Sequence, residues 1–248
     1  MAWLLIDNSN TRTKFALGDA AGLIDWRRVL ATADVSLVSL ATLTAGVEFS
    51  AVIVCSVVPA KAAILKDFFE PRGPVHFLGH DSPLGMRIDY PLPAQIGADR
   101  LANAAGVLAR HSVPAIVVDF GTAVTFDVIS AQPAYCGGAI APGLGAISGY
   151  LPQNTALLPA IELEEPASAI GKSTVQAMQA GAVFGYRGLV KEIIGRIRME
   201  LPERPRIIAT GGDAALIARG VPEIDVVDPD LTLDGLRQVA TQVFPNCE

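Results

Sequence analysis

The chain has 248 residues, of which 51% are hydrophobic and 18% charged, and a formal net charge of −6. That length allows one large domain or two ordinary ones around a sizeable core. The acidic balance and the lack of any Lys/Arg cluster argue against nucleic acid as a partner, and no apolar stretch reaches membrane-spanning length without Gly, Pro or charge.

Trp3 to Ile6 is an apolar strand that runs into Asp7, and Lys14 to Leu17 resumes a strand after a small polar turn. Met1-Ala2-Trp3 lacks a basic region, so this is a first strand and not a signal peptide. Trp26 to Leu30 reads as a third strand and Val35 to Leu43 as a helix. Phe49 to Ser56 is a clear apolar strand leading through a Pro turn into a helix over Ala60 to Phe69. Val75 to Leu78 is a short strand, and Asp81 to Pro93 is a Pro- and Gly-rich loop. His76 and His80 are close in sequence but lack convincing partner ligands, so a solvated strand end is favoured there over a metal site. An Ala/Leu-rich helix runs from Asp99 to about His111.

Ala115 to Val118 is a buried β-branched run ending at Asp119, followed by Gly121, Thr122 and a return strand over Phe126 to Ile129. Next come a Gly-dense loop over Gly137 to Gly145, a helix through Ile147 to Leu151 and an acidic loop over Glu162 to Pro166. Ser173 to Arg198 reads as one or two long helices, Arg206 to Asp213 as a strand and turn opening a helix at Ala214, and Leu231 to Phe244 as a closing helix. The cysteines Cys55, Cys136 and Cys247 are too widely spaced for a disulfide framework or a CxxC metal pattern, which predicts a reducing cytoplasm.

The Asp119 hairpin can cradle an anion: its amides and hydroxyls donate to phosphate oxygens while the carboxylate holds a compensating cation. The same residues would equally serve an ordinary hairpin whose Asp and Thr satisfy their own turn. The pattern occurs twice, however, at Asp7 and at Asp119, and Arg206 to Asp213 parallels Ala51 to Ser56. Two related halves, residues 1–114 and 115–248, are therefore expected to face each other across a cleft. Gly171-Lys172-Ser173-Thr174 looks like the end of a P-loop, but Pro166 stands where the motif needs glycine and no buried strand precedes it. Gly143-Leu144-Gly145 is not a dinucleotide fingerprint either, because Ser148 replaces its third glycine.

Taken in order, Asp7 to Thr11, Gly97-Ala98-Asp99-Arg100, Asp119 to Thr125, Gly137 to Gly143 and Thr210-Gly211-Gly212-Asp213 resemble the type III pantothenate kinases. These belong to the acetate and sugar kinase/Hsp70/actin superfamily. The resemblance covers nearly the whole chain, including Leu231 to Leu236. It implies an α/β fold of two ribonuclease-H-like (actin-like ATPase) halves, each a mixed sheet flanked by helices, with the active-site cleft between them. It further implies a homodimer that phosphorylates pantothenate with ATP, the first step toward coenzyme A.

Carried over residue by residue, Asp7, Asn8, Ser9, Asn10, Thr11, Arg12, Thr13 and Lys14 would hold ATP phosphates, with Asp7 on a Mg²⁺ water shell and Thr122 continuing the grip. Asp99 would be the general base for the primary hydroxyl, and Tyr90, Gly97, Ala98, Asp99, Arg100 and Thr174 would line the substrate pocket. Asp119 would ligate the monovalent cation, K⁺ or NH₄⁺, that the family needs. These roles suit phosphoryl transfer, which asks a protein mainly for positioning and charge compensation. Simpler explanations exist: a helix cap for Asp99, an ion pair for Arg100, a helix start for Thr174.

The family usually carries Gly where this chain has Ser9, a change that either strains the turn or adds a hydroxyl donor. Two alternatives stay open: a kinase for another small hydroxy acid, or a low-turnover nucleotide-binding accessory protein. Ser9 favours the latter, and retention of Asp99, Arg100 and Asp119 counts against it.

Overall fold

The computed structural model describes residues 2–245, so Cys247 lies outside them. The chain forms two compact units. The first comprises the chain up to Ser112, Pro133–Tyr135 and the chain from Asp230 on; the second comprises Val113–Gln132 and Cys136–Pro229.

The first unit opens with β1 (Trp3–Asn8), β2 (Arg12–Gly18) and β3 (Leu23–Ala31), then α1 (Leu37–Leu43), β4 (Ala51–Ser56) and α2 (Pro59–Phe69). After β5 (Val75–Phe77) come β6 (Arg87–Ile88) and α3 (Ala98–Arg110). The sheet order is β3-β2-β1-β4-β5, with β1 antiparallel to β2 and parallel to β4. β1 is central and all six of its residues are buried, which is why its first four, Trp3 to Ile6, read as an unbroken apolar run. Leu4, Ile6, Phe15, Leu17, Val52 and Val54 share one core with Val35, Leu40, Leu65, Phe68 and Phe69. Ser36 starts α1 through a capping box with Ser39, and Pro59 occupies the first turn of α2, where its missing N–H costs nothing.

His76 serves the turn after β5. Ser82 Oγ accepts the Gly79 N–H at 3.0 Å and lies 2.8 Å from His76 Nε2, which fixes that turn. Burial lowers the His76 pKa below 6.5, against a smaller opposing pull from Asp81. A base with a depressed folded-state pKa favours the folded state fully above the unfolded value and loses that contribution as pH falls. Chemical denaturation midpoints are therefore expected to fall as pH drops below 6.5, and His76→Gln is expected to flatten that part of the profile.

The second unit contains β7 (Ala115–Phe120), β8 (Ala123–Ile129), β9 (Ala134–Pro142), α4 (Leu144–Asn154), α5 (Thr174–Glu200), β10 (Arg206–Gly211), α6 (Ala214–Ala218) and β11 (Val226–Val227). The first two residues of β9 belong to the first unit, where they pair in parallel with β6. The remaining order, β9-β8-β7-β10-β11, repeats that of the first unit strand for strand. β7 is antiparallel to β8 and parallel to β10, as β1 is to β2 and β4. The two halves are therefore copies of one mixed α/β sheet.

One expectation needs correction. Gly137 to Pro142, expected as loop, lies within β9. Its glycines serve close strand approach: a Cβ on Gly138 would stand 2.7 Å from the Phe126 carbonyl carbon. The long helical stretch expected over Ser173 to Arg198 is one helix, α5, whose N-cap Ser173 accepts the Gln176 N–H at 3.2 Å. The Gly171-Lys172-Ser173-Thr174 stretch is the entry to that helix, since Lys172 N–H donates to Gln176 Oε1 at 2.8 Å.

The segment from Thr155 to Ser173 has no regular structure and is tied to α5. Gln179 donates to Glu162 O and Glu164 Oε1, both at 3.0 Å. Arg187, buried in α5, forks onto Glu165 at 2.8 and 2.6 Å and also donates to Leu216 O and Ile217 O at the end of α6. The hydrogen bond from Arg187 pulls the Glu165 pKa down, so this contribution is full above pH 4.5 and fades below it. Arg187→Ala leaves the Leu216 and Ile217 carbonyls without these donors and is expected to cost about 1–3 kcal/mol in urea denaturation.

The chain closes with α7 (Leu231–Val243), which packs on α3 within the first unit. Two glycines let the backbones touch. A Cβ on Gly235 would lie 2.7 Å from the Ala102 carbonyl carbon, and one on Gly106 would lie 3.1 Å from that of Leu231. Thr232 Oγ1 donates to Asn103 Oδ1 at 2.7 Å inside the contact, and Asp234 accepts from Arg110 and Arg237 at its rim. Among the described residues, no helix is long and apolar enough to cross a membrane.

Candidate active site

In the first unit, Asp7 is 2% exposed near the end of the central strand. Its Oδ2 pairs with Lys14 Nζ at 3.1 Å, directly across the β1–β2 rung, and its Oδ1 accepts from Ser9 Oγ at 2.7 Å. The latter bond resolves the Ser9 question. No described non-glycine residue has positive φ, so Ser9 is unstrained, and its hydroxyl holds Asp7.

Asn8 and Thr13 are fully enclosed. Asn8 Nδ2 donates to Thr13 Oγ1 at 2.7 Å, and Asn8 Oδ1 accepts from Ser56 Oγ at 2.7 Å, stitching β1 to both neighbours. Thr32 Oγ1 donates to Ser9 O at 2.6 Å and lies 3.0 Å from Thr13 Oγ1, which locks the base of the turn. Asn10, Thr11 and Arg12 at the tip are exposed. Of the eight predicted hairpin residues, Asn8 and Thr13 thus brace the sheet, while the tip and Lys14 present groups outward.

The same unit holds five of the six predicted substrate residues, Tyr90 and Gly97 to Arg100, whereas Thr174 belongs to the second unit. Gly97 is the N-cap of α3, and Asp99 and Arg100 lie in its first turn. Asp99 Oδ1 accepts the Arg100 N–H at 2.8 Å, which is helix-end chemistry. Arg100 lies over the Tyr135 ring, 5.7 Å from its centroid, and Tyr90 meets the same ring edge-on at 6.3 Å. Tyr135 was not legible as a site residue. It sits alone between small residues, and only the pairing of β6 with β9 brings it beside Tyr90.

In the second unit, Asp119 occupies the position in β7 that Asp7 occupies in β1, the fifth residue of the central strand. Across the sheet its rung holds Thr125 on β8 and Thr210 on β10. Thr125 Oγ1 donates to Oδ2 of the fully buried Asp127 at 3.0 Å. Thr122 is exposed in the turn, and its carbonyl accepts the Gly143 N–H at 3.1 Å. Gly211, at φ +93, passes over Phe120 so closely that a Cβ would lie 2.5 Å from the Phe120 carbonyl oxygen. Thr174 is exposed in the first turn of α5, away from the hairpin in sequence.

Asp119, Thr125 and Thr210 offer only oxygen, the donor set a hard cation prefers. Asp7 suits the outer shell of Mg²⁺, an ion that keeps several waters and relies on substrate phosphates. Among the described residues, no group of three or more His, Cys, Asp or Glu forms a dedicated metal cage.

The model of the type III pantothenate kinase family matches residues 3–196. The type III pantothenate kinase of Akkermansia muciniphila is 60% identical over 240 residues, spanning 97% of this chain and 98% of that protein. Among solved structures, a conserved Baf family protein from Campylobacter jejuni aligns with a TM-score of 0.64 at 20% identity, over 98% of this chain and 99% of that one. A ROK family glucokinase from Streptomyces griseus aligns with a TM-score of 0.57 at 13% identity, over 98% of this chain and 100% of that one. The structural likenesses establish the sugar kinase/actin-like ATPase fold. With the duplicated sheet and the family match over most of its length, the chain belongs to the type III pantothenate kinase family.

Proposed function

We propose that the chain transfers the γ-phosphoryl group of ATP to the primary hydroxyl of pantothenate, giving 4′-phosphopantothenate for coenzyme A synthesis. The observation that carries this is the recurrence of one carboxylate at one rung in two copies of a sheet. The exposed tip at Asn10 to Arg12, Lys14 and Thr122 supply donors for phosphate oxygens. Asp99 accepts the hydroxyl proton as the new P–O bond forms, and Arg100 holds the substrate carboxylate. Tyr90, Gly97, Ala98 and Thr174 complete the substrate contacts, and Asn8, Ser9 and Thr13 keep Asp7 and its turn in place.

Mg²⁺ would be held by the ATP phosphates and, through water, by Asp7, and it would supply charge compensation for the transferring phosphoryl group. A monovalent cation would be held by Asp119 with Thr125 and Thr210. The proposal includes a homodimer in the cytoplasm.

The test is ADP release with Mg-ATP, with and without pantothenate, in K⁺ and then in Na⁺. Turnover that requires pantothenate and is faster in K⁺ is the expected result. Turnover with another hydroxy acid alone would reassign the substrate. ATP binding without turnover would point to an accessory protein. Light scattering at micromolar protein checks the dimer.

A further inference from the structure

Tyr135 is fully buried, is absent from the substrate contacts assigned above, and touches two of them. The Arg100 guanidinium lies 5.7 Å from its ring centroid, within the range of a cation–π contact. Tyr90 packs edge-on against the same ring, at 6.3 Å and 72°. The backbone around it is fixed as well. Ile88 pairs with Tyr135, and the Asp89 N–H donates to Tyr135 O at 2.9 Å, so the strand that carries Tyr135 also aims the segment entering Tyr90. One ring thus joins two segments that are ten residues apart in sequence: the loop bearing Tyr90 and the first turn of α3 bearing Arg100.

We infer that Tyr135 is a positioning residue for the acid end of the substrate: its ring holds the Arg100 guanidinium in the orientation that receives a carboxylate, and holds Tyr90 beside it. A flexible arginine loses rotamer freedom when it binds an anion. An aromatic platform beneath the planar fork takes up that loss before the ligand arrives. The platform is specific to the substrate's carboxylate and leaves ATP binding and the proton transfer at Asp99 alone. Tyr135 therefore acts on pantothenate affinity mainly through Arg100 and secondarily through Tyr90, without touching the reacting atoms.

This inference rests on the kinase reading, and the experiment separates the two. Pantothenate binding is measured by calorimetry, and turnover is measured separately, for the wild type, Tyr135→Phe, Tyr135→Leu, Arg100→Ala and the double variant Arg100→Ala/Tyr135→Leu. Tyr135→Leu is expected to weaken pantothenate binding and raise its KM about tenfold, with kcat and the KM for ATP within about twofold of wild type. Tyr135→Phe keeps the ring and is expected to restore binding. In the Arg100→Ala background, Tyr135→Leu is expected to add much less than in the wild type, because only the part of the ring's effect that runs through Tyr90 remains.

A purely structural role would instead lower kcat, raise both KM values, or persist undiminished without Arg100; any of these overturns the inference. Unchanged pantothenate affinity in Tyr135→Leu overturns it too. A wild type that binds pantothenate without turnover removes the kinase reading and leaves the binding comparison to judge Tyr135. A wild type that neither binds nor phosphorylates pantothenate removes both.

Discussion

Asp99→Asn is expected to lower kcat for pantothenate phosphorylation by about 10²–10⁴-fold, with the KM for ATP within about twofold of wild type. The substitution is nearly isosteric. The carboxamide oxygen can still accept the Arg100 N–H that Asp99 accepts at 2.8 Å, so the first turn of α3 keeps its bond. What is lost is the proton acceptor. The stability change is correspondingly small, about 0.5 kcal/mol from the weaker interaction with the helix N-terminus. Stopped-time ADP assays and urea denaturation on the same preparation separate the two roles. A variant that turns over normally would leave Asp99 as a helix-end residue only, and a variant that fails because it unfolds would show it in the denaturation curve.

Gly235→Ala is expected to destabilise the protein by about 3 kcal/mol or more, although alanine is the better helix former by about 1 kcal/mol. The reversal of sign comes from the contact with α3. A methyl at Gly235 would sit 2.7 Å from the Ala102 carbonyl carbon and 2.9 Å from the Gly106 nitrogen, and backbone cannot swing aside as a side chain can. The helices must separate, which also breaks the buried bond between Thr232 and Asn103. Gly106→Ala opens the same seam, so the double variant is expected to cost less than the sum of the singles. Gly181, Gly188 and Gly195 on α5 are the control, since a Cβ at each meets nothing within 4 Å. Alanine there should raise stability by about 0.5–1 kcal/mol. Thermal and chemical denaturation of these variants reads the contrast directly. Equal effects at Gly235 and Gly188 would remove the close-packing account.

The central strands were legible because they are covered on both faces: Trp3 to Ile6, Ala51 to Val54, Ala115 to Val118 and Ile207 to Ala209 all read as apolar runs. Their repetition, each first strand ending in an acid, was enough to see two copies of one sheet. Short pairings were not legible. Arg87–Ile88 and Val226–Val227 are strands of two residues that exist only because a longer neighbour holds them. Gly137 and Gly138 misled for a physical reason, since glycine marks close backbone approach as readily as it marks a loop.

In the site, the residues of the two hairpins and of the α3 turn stood in local patterns and could be named. Tyr135 had no such pattern, and the fork of Arg187 onto Glu165 joins residues 22 apart with no periodicity to announce it. Side chains that orient other side chains are defined by tertiary neighbours, and a linear sequence lists only the covalent ones.

Asp7 and Asp119 occupy one rung in two copies of one sheet, yet the residue across the ladder is Lys14 in the first and Thr125 in the second. An ammonium tethered to the backbone has a local concentration set by covalent geometry, so its partnership with Asp7 barely depends on the surrounding solution. A hydroxyl brings no charge, so under the proposed chemistry the cation at Asp119 arrives by mass action and leaves by it. Divergence at this rung of a duplicated hairpin would then leave the first half's carboxylate balanced from within the chain and make the second half the one that registers the monovalent cations in solution.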